Sequence, residues 1–165
     1  MRVIFVPREG VDLHSALLLS ETSREALRFY QPEKTPAGVE VTVASLGSGL
    51  SLASDLRWYV RRYMRDVLFE IAPGTFCTRE LAQDIYYGRA PVLNRRWRWK
   101  WVYTFHPEGP VTGKSPGSDM PGEREASGGA PVGEEKSLLR IDVWCTKDQF
   151  LGKKKGDGEE EITSL

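Results

Sequence analysis

The stretch SLASDLRWYVRRYMRDVLFEI, residues 51–71, decides how this chain is read. At about 100° per residue, Leu52, Leu56, Tyr59, Val60, Tyr63, Met64, Val67 and Ile71 fall on one broad face. Arg57, Arg61 and Arg65 form an i, i+4 stripe on the other, with Trp58, Arg62 and Phe69 beside it. The pattern predicts one long amphipathic helix over 51–71, stopped by Pro73-Gly74. Arginines opposite an apolar helix face ordinarily mark its solvated side. Here Asp55, Asp66 and Glu70 stand against four arginines flanked by aromatics. Guanidinium groups beside exposed rings suit phosphates, whether of RNA or of lipid heads, and also protein interfaces.

On the C-terminal side, TFCTRELAQDIYYG predicts a short second helix with Thr78 as N-cap and Gly88 at its end. The segment resembles the first helix of a helix-turn-helix in texture, but RAPVLNRR, interrupted by proline, is no recognition helix. Next comes LNRRWRWKWVYTFHP, residues 93–107. Trp97, Trp99, Trp101, Tyr103 and Phe105 alternate with Arg96, Arg98, Lys100, Val102 and Thr104, a period of two that predicts a long strand. Five rings on one face read as a core face lying under the helix, leaving Arg96, Arg98 and Lys100 to solvent. The rival reading, a platform on which unpaired bases stack, lacks the motif of the RNA-binding sheets that work this way.

SLLRIDVWCT, residues 137–146, alternates too, with Leu139, Ile141, Val143 and Cys145 on one side. An antiparallel pairing would set Phe105 near Leu138 and Arg98 near Cys145. It would also let Asp142, which shares its side with Arg140 and Trp144, pair with one of the strand cations. The intervening residues, rich in Gly, Pro, Ser and Glu, predict a mobile loop at 107–136. The charged segment 151–165 predicts a disordered tail after a single domain over 1–150.

On the N-terminal side, RVIFVP predicts a strand ended by Pro7, and VEVTVASL predicts another by its alternation. Leu13–Leu19 is too short a run for periodicity to choose between strand and helix. Thr22 and Glu25 have capping-box spacing. Gly47 and Gly49 stand between a strand and a helix, but the third glycine of a dinucleotide fingerprint is absent, as is the GK[ST] of a P-loop. They read as turn glycines. The fold class expected from all this is α+β: an antiparallel sheet of four to five strands with one long helix packed on it.

The formal charge is zero, with 23 basic and 23 acidic residues, so no global field draws the molecule to polyanions. The distribution is uneven. Residues 51–101 hold ten Lys/Arg against five acids, and residues 106–165 hold eight against twelve. Cys77 and Cys145 form no CxxC and, with His14 and His106, match no zinc spacing. A Cys77–His nucleophile pair is weighed against the commoner buried cysteine. The carboxylates lie among arginines, which suits ion pairing better than acid–base chemistry. With no signal peptide or membrane span in the pattern, the expected setting is intracellular, cytoplasmic or nuclear.

The expectation is therefore a non-enzymatic binding or assembly protein without cofactor, metal or small-molecule substrate. Its partner is RNA or a ribonucleoprotein, met by Arg57, Arg61, Arg62, Arg65, Arg96, Arg98 and Lys100, with aromatic contacts from Trp58, Phe69 and Trp144. Two alternatives accompany it. One is a self-associating structural protein on an anionic membrane surface, loosely similar in layout alone to the small matrix proteins of negative-strand RNA viruses. The other is a protein-interaction adaptor using the 107–136 loop and the acidic tail.

Overall fold

Two strands buried on both faces organise the molecule. The computed structural model describes residues 1–88, 99–105 and 139–153. Strand β1 (Arg2–Pro7) is followed by helices α1 (Leu13–Leu19) and α2 (Glu21–Ala26), then strands β2 (Glu33–Thr35) and β3 (Gly38–Thr42). Helices α3 (Leu46–Asp55) and α4 (Arg57–Tyr63) lead into strands β4 (Met64–Ala72) and β5 (Thr75–Thr78) and helix α5 (Arg79–Tyr86). Strands β6 (Lys100–Phe105) and β7 (Leu139–Trp144) and helix α6 (Lys147–Lys153) complete the described residues. The seven strands form one sheet in the order β2-β3-β1-β4-β5-β7-β6. All pairings are antiparallel except β5 with β7, which is parallel. The fold is α+β as expected, but with a mixed sheet of seven strands and six mostly short helices among the described residues.

The helix expected over 51–71 does not exist as one element. Leu56 ends α3 and starts α4, and at Met64 the backbone turns extended, φ −105° and ψ 140°. Residues 64–72 then form the strand between β1 and β5. The reason is burial on both faces. Val67 and Phe69 join the helix-side core while Leu68 joins the core on the other face, so three consecutive apolar residues are all buried. Such a strand lacks alternation, and its apolar residues fit a helical template equally well. Strand β1 behaves alike: Val3 and Phe5 face the helices, Ile4 and Val6 the other side.

Leu13–Leu19 is helical, with Leu13 and Leu17 buried and Asp12 as N-cap, its carboxylate accepting from Ser15 N at 3.3 Å. The Ser15 hydroxyl, and after it this backbone contact, lowers the pKa of Asp12. The capping box at Thr22 is not used, because α2 begins at Glu21 after Ser20. The Ser20 hydroxyl instead hydrogen-bonds the Tyr59 hydroxyl, tying α1 and α2 to α4. The Thr78 cap forms as expected, accepting from Leu81 N at 3.4 Å. Gly47 and Gly49 lie inside α3, which is capped by Ser45. A Cβ at Gly49 would meet Val3 at 3.0 Å and Phe69 at 3.3 Å, so the small residue lets α3 press on the sheet.

The aromatic strand builds a second core rather than lying under a helix. Tyr103, with Trp101 and Phe105 beside it, packs with Ile4, Val6, Leu68, Phe76, Ile141 and Val143 on the face away from α1, α3, α4 and α5. The pairing with 139–144 is antiparallel as expected, one residue out of the expected register: Phe105 stands opposite Leu139. Asp142 does pair with a strand cation, Lys100 Nζ at 3.2 Å. Helix α6 runs to Lys153, past the start expected for the tail. The 107–136 loop and residues 154–165 lie outside the described residues.

Candidate functional site

Helix α4 carries Arg57, Trp58, Arg61 and Arg62 toward solvent because its inner face is committed to Tyr59, which is buried in the helix-side core. Among the described residues, none of Arg57, Arg61, Arg62 and Arg65 forms an ion pair. Arg2, Arg28, Lys34 and Lys100 all do. Within the described residues, four guanidinium groups therefore keep their donors for water or for a partner.

Trp58 is 56 % exposed, the larger part of its indole being open to solvent. It is nevertheless held. Tyr59 and Tyr63 meet it in perpendicular ring contacts at 5.0 and 5.7 Å. The Arg62 guanidinium lies 5.5 Å from the Trp58 ring centre and 5.8 Å from that of Tyr63. Such cation–π contacts orient the arginine without neutralising it.

Arg8 joins this surface from the loop after β1, and nothing in the sequence pattern marks it. Its guanidinium donates to Arg61 O at 3.0 Å, and its backbone N donates to Tyr63 O at 2.9 Å. Both carbonyls belong to the last turn of α4, where a cation meets the negative end of the helix and satisfies orphan acceptors. Tyr63 is the other member that the sequence reading missed, since it was assigned to the apolar side.

The remaining expected residues are dispersed. Arg65 does not continue the Arg57/Arg61 stripe, because α4 has ended. Val6 pairs with Asp66 and Pro7 with Met64, which leaves Arg65 as the extra residue of a bulge. Its guanidinium lies over the Tyr103 ring at 5.4 Å. Lys100 is held by Asp142 on the β6–β7 pair. Phe69 is fully buried and forms part of the core, so it is unavailable to a partner in the folded protein. Trp144 is half-buried against the helix-side core. Arg96 and Arg98 lie outside the described residues.

Arg57 itself lines a shallow groove together with Glu21, Thr22, Glu25, Ala26, Ser54 and Asp55. Three carboxylates there offset the field of Arg57, so the positive surface is strongest toward Arg61, Arg62 and Arg8. Cys77, weighed as a nucleophile, is buried in the core, and burial aided by Asp66 pushes its thiol up to about 12. At neutral pH it is a protonated, inaccessible side chain. His106 lies outside the described residues. Among the described residues, no group of three or more His, Cys, Asp or Glu side chains is placed to hold a metal ion, and no helix is long and apolar enough to cross a membrane.

The model of a family of unknown function (DUF5804) matches residues 1–95, which contain β1 through α5 and thus the whole α4 surface. No curated protein and no solved structure matches the chain.

Proposed function

The chain belongs to DUF5804, a family of unknown function, and from that premise we propose that it is a non-catalytic binding protein for a phosphate-rich partner, RNA or a ribonucleoprotein. The observation that supports this reading is the α4 surface: Arg57, Arg61 and Arg62 are exposed and, among the described residues, without an ion pair, around a half-exposed Trp58. An apolar protein segment laid on this surface would strip water from guanidinium groups and leave them unpaired, at a cost of several kcal/mol per ion. A phosphate chain supplies the missing acceptors. Arg8 extends the same surface.

The mechanism is charge neutralisation with little reading of sequence. Each arginine that meets a phosphate releases condensed counterions, so affinity falls steeply with salt. A net charge of zero makes this a local attraction, confined to the patch by screening over about 8–10 Å. Arg65 and Lys100 are excluded from this reading of the interface: one is directed to Tyr103 and the other is paired with Asp142.

The test is binding of labelled RNA at low and high salt, with anionic vesicles and neutral vesicles in parallel. Salt-sensitive RNA binding that vesicles do not reproduce supports the reading. Binding to anionic vesicles alone would place lipid phosphates on the same arginines and overturn it. Binding to neither would make α4 a protein-contacting or solvated surface.

A further inference from the structure

We infer that the nucleic acid taken by the α4 surface is single-stranded, and that one unpaired base stacks on Trp58 while Arg61 and Arg62 hold the flanking phosphates. This rests on the proposed binding of RNA and names the form of RNA that fits.

Three observations carry it. The first is the state of Trp58. A tryptophan 56 % exposed on a soluble surface is usually mobile, but this one is fixed by two perpendicular tyrosines and a guanidinium. A ring already held in place loses little freedom when a partner arrives, which favours its use as a stacking surface. Every base has a π-face, so stacking of this kind tolerates any sequence.

The second is the position of the charges around that ring. Arg62 lies against the indole itself, and Arg61 precedes it on the same turn of α4. A base on Trp58 therefore brings its own phosphates within reach of both. A duplex presents phosphates and groove edges but keeps its base faces stacked internally. It can satisfy the arginines and leaves the indole without a partner.

The third is the size of the element. Helix α4 has seven residues, about two turns, and its first turn borders the acidic groove at Glu21, Glu25 and Asp55. The surface suits a few nucleotides of one strand passing over Trp58 toward Arg8. Among the described residues, it offers no continuous cationic track along which a duplex could lie.

The experiment uses the full chain and compares a short oligouridylate, an RNA duplex of equal length and inorganic polyphosphate, read by anisotropy or competition and by Trp fluorescence. The expected result is tighter binding of the single strand than of the other two. Trp58→Ala should weaken the single strand by about ten-fold or more and the duplex and polyphosphate far less, through the loosened Arg62 alone. Trp58→Phe should restore most of the loss. Because Trp58 is on the surface, both variants are checked for unchanged thermal unfolding before binding is compared. Equal affinity for all three probes, with no effect of Trp58→Ala, would overturn the stacking inference while leaving phosphate binding intact. Loss of binding in Arg61→Ala/Arg62→Ala but not in Trp58→Ala would overturn it in the same way. Absence of binding by the wild type to any probe would overturn the proposed function with it.

Discussion

The Tyr103 hydroxyl donates a hydrogen bond to Asp66 Oδ2 at 3.0 Å, although β5 and β7 separate their strands in the sheet. In a flat sheet β4 and β6 would be about 14 Å apart, beyond the reach of the two side chains. The sheet therefore curls, bringing β6 back over the face of β1 and β4 that the helices leave open. Tyr103→Phe should cost about 1 kcal/mol, the worth of one hydrogen bond, and Tyr103→Ala about 3–5 kcal/mol, because the buried ring is lost as well. Urea unfolding separates the two. A Phe variant as damaged as the Ala variant would make the hydrogen bond, not ring burial, the main restraint on the curl.

Arg2 and Glu70 make an acid-sensitive contact in the sheet. Arg2 Nη2 donates to Glu70 Oε1 at 2.6 Å, Arg2 Nε and N both donate to Oε2 at 3.1 Å, and Gly74 N donates to Oε1 at 3.0 Å. The guanidinium, helped by these backbone donors, holds the Glu70 carboxyl at about 2, below its ordinary 4.5. A carboxyl whose pKa is lowered by folding contributes stability that is fully present above about 4.5 and is lost as pH falls through about 2. Arg2→Ala should move acid unfolding to higher pH within that window and cost about 1 kcal/mol at neutral pH, since the arginine is partly exposed and screened. Glu70→Gln should flatten the pH dependence there. A wild-type acid-unfolding curve unchanged by either substitution would contradict the assignment.

Phe69 and Trp58 were expected together as surface aromatics, and their substitution should separate them. Phe69 is fully buried against Gly49, and Phe69→Ala should destabilise by about 3–5 kcal/mol. Trp58→Ala, on the surface, should cost about 1 kcal/mol or less. Thermal or chemical denaturation of the two variants gives the comparison. Equal losses would mean that Trp58 serves the fold and is not spare for a partner.

Gly38 opens β3 at φ +136°, and a Cβ there would meet Phe5 O at 2.2 Å. Gly38→Ala combines backbone strain with a collision against backbone and should cost about 3 kcal/mol or more. Gly10, at φ +74° with open space around it, should lose only about 1–2 kcal/mol on the same change. Paired unfolding curves test the contrast, and similar losses at both positions would show that β1 and β3 relax around the new methyl group.

Several parts of this fold are legible in the sequence, and the parts that are not have physical causes. Strand β1 follows from a short apolar run ended by Pro7, and strand β3, the Thr78 cap, the pairing of 100–105 with 139–144 and the Lys100–Asp142 contact follow from alternation and capping chemistry. Strand β4 was hidden because it is buried on both faces, and Tyr63, Met64, Val67 and Ile71 keep helical spacing straight through the turn into it. The same helical spacing sets Arg65 on a stripe it does not join and Phe69 on a surface it does not reach. The α4 cluster of Arg57, Trp58, Arg61 and Arg62 was visible, since all four fall within a true helix. Arg8 was not, because its place beside Arg61 depends on the β1–β4 pairing, which no local pattern encodes.

The most direct test of the α4 surface is the salt dependence of RNA binding by the wild type and by Arg57→Ala/Arg61→Ala/Arg62→Ala, measured by anisotropy on one single-stranded oligonucleotide. For a single strand, the slope of log affinity against log salt falls by about 0.7 for each phosphate contact removed. The variant should therefore bind more weakly at low salt, with a slope shallower by about 2 and unfolding unchanged. Identical affinity and slope in the two proteins would contradict the assignment of phosphates to this helix.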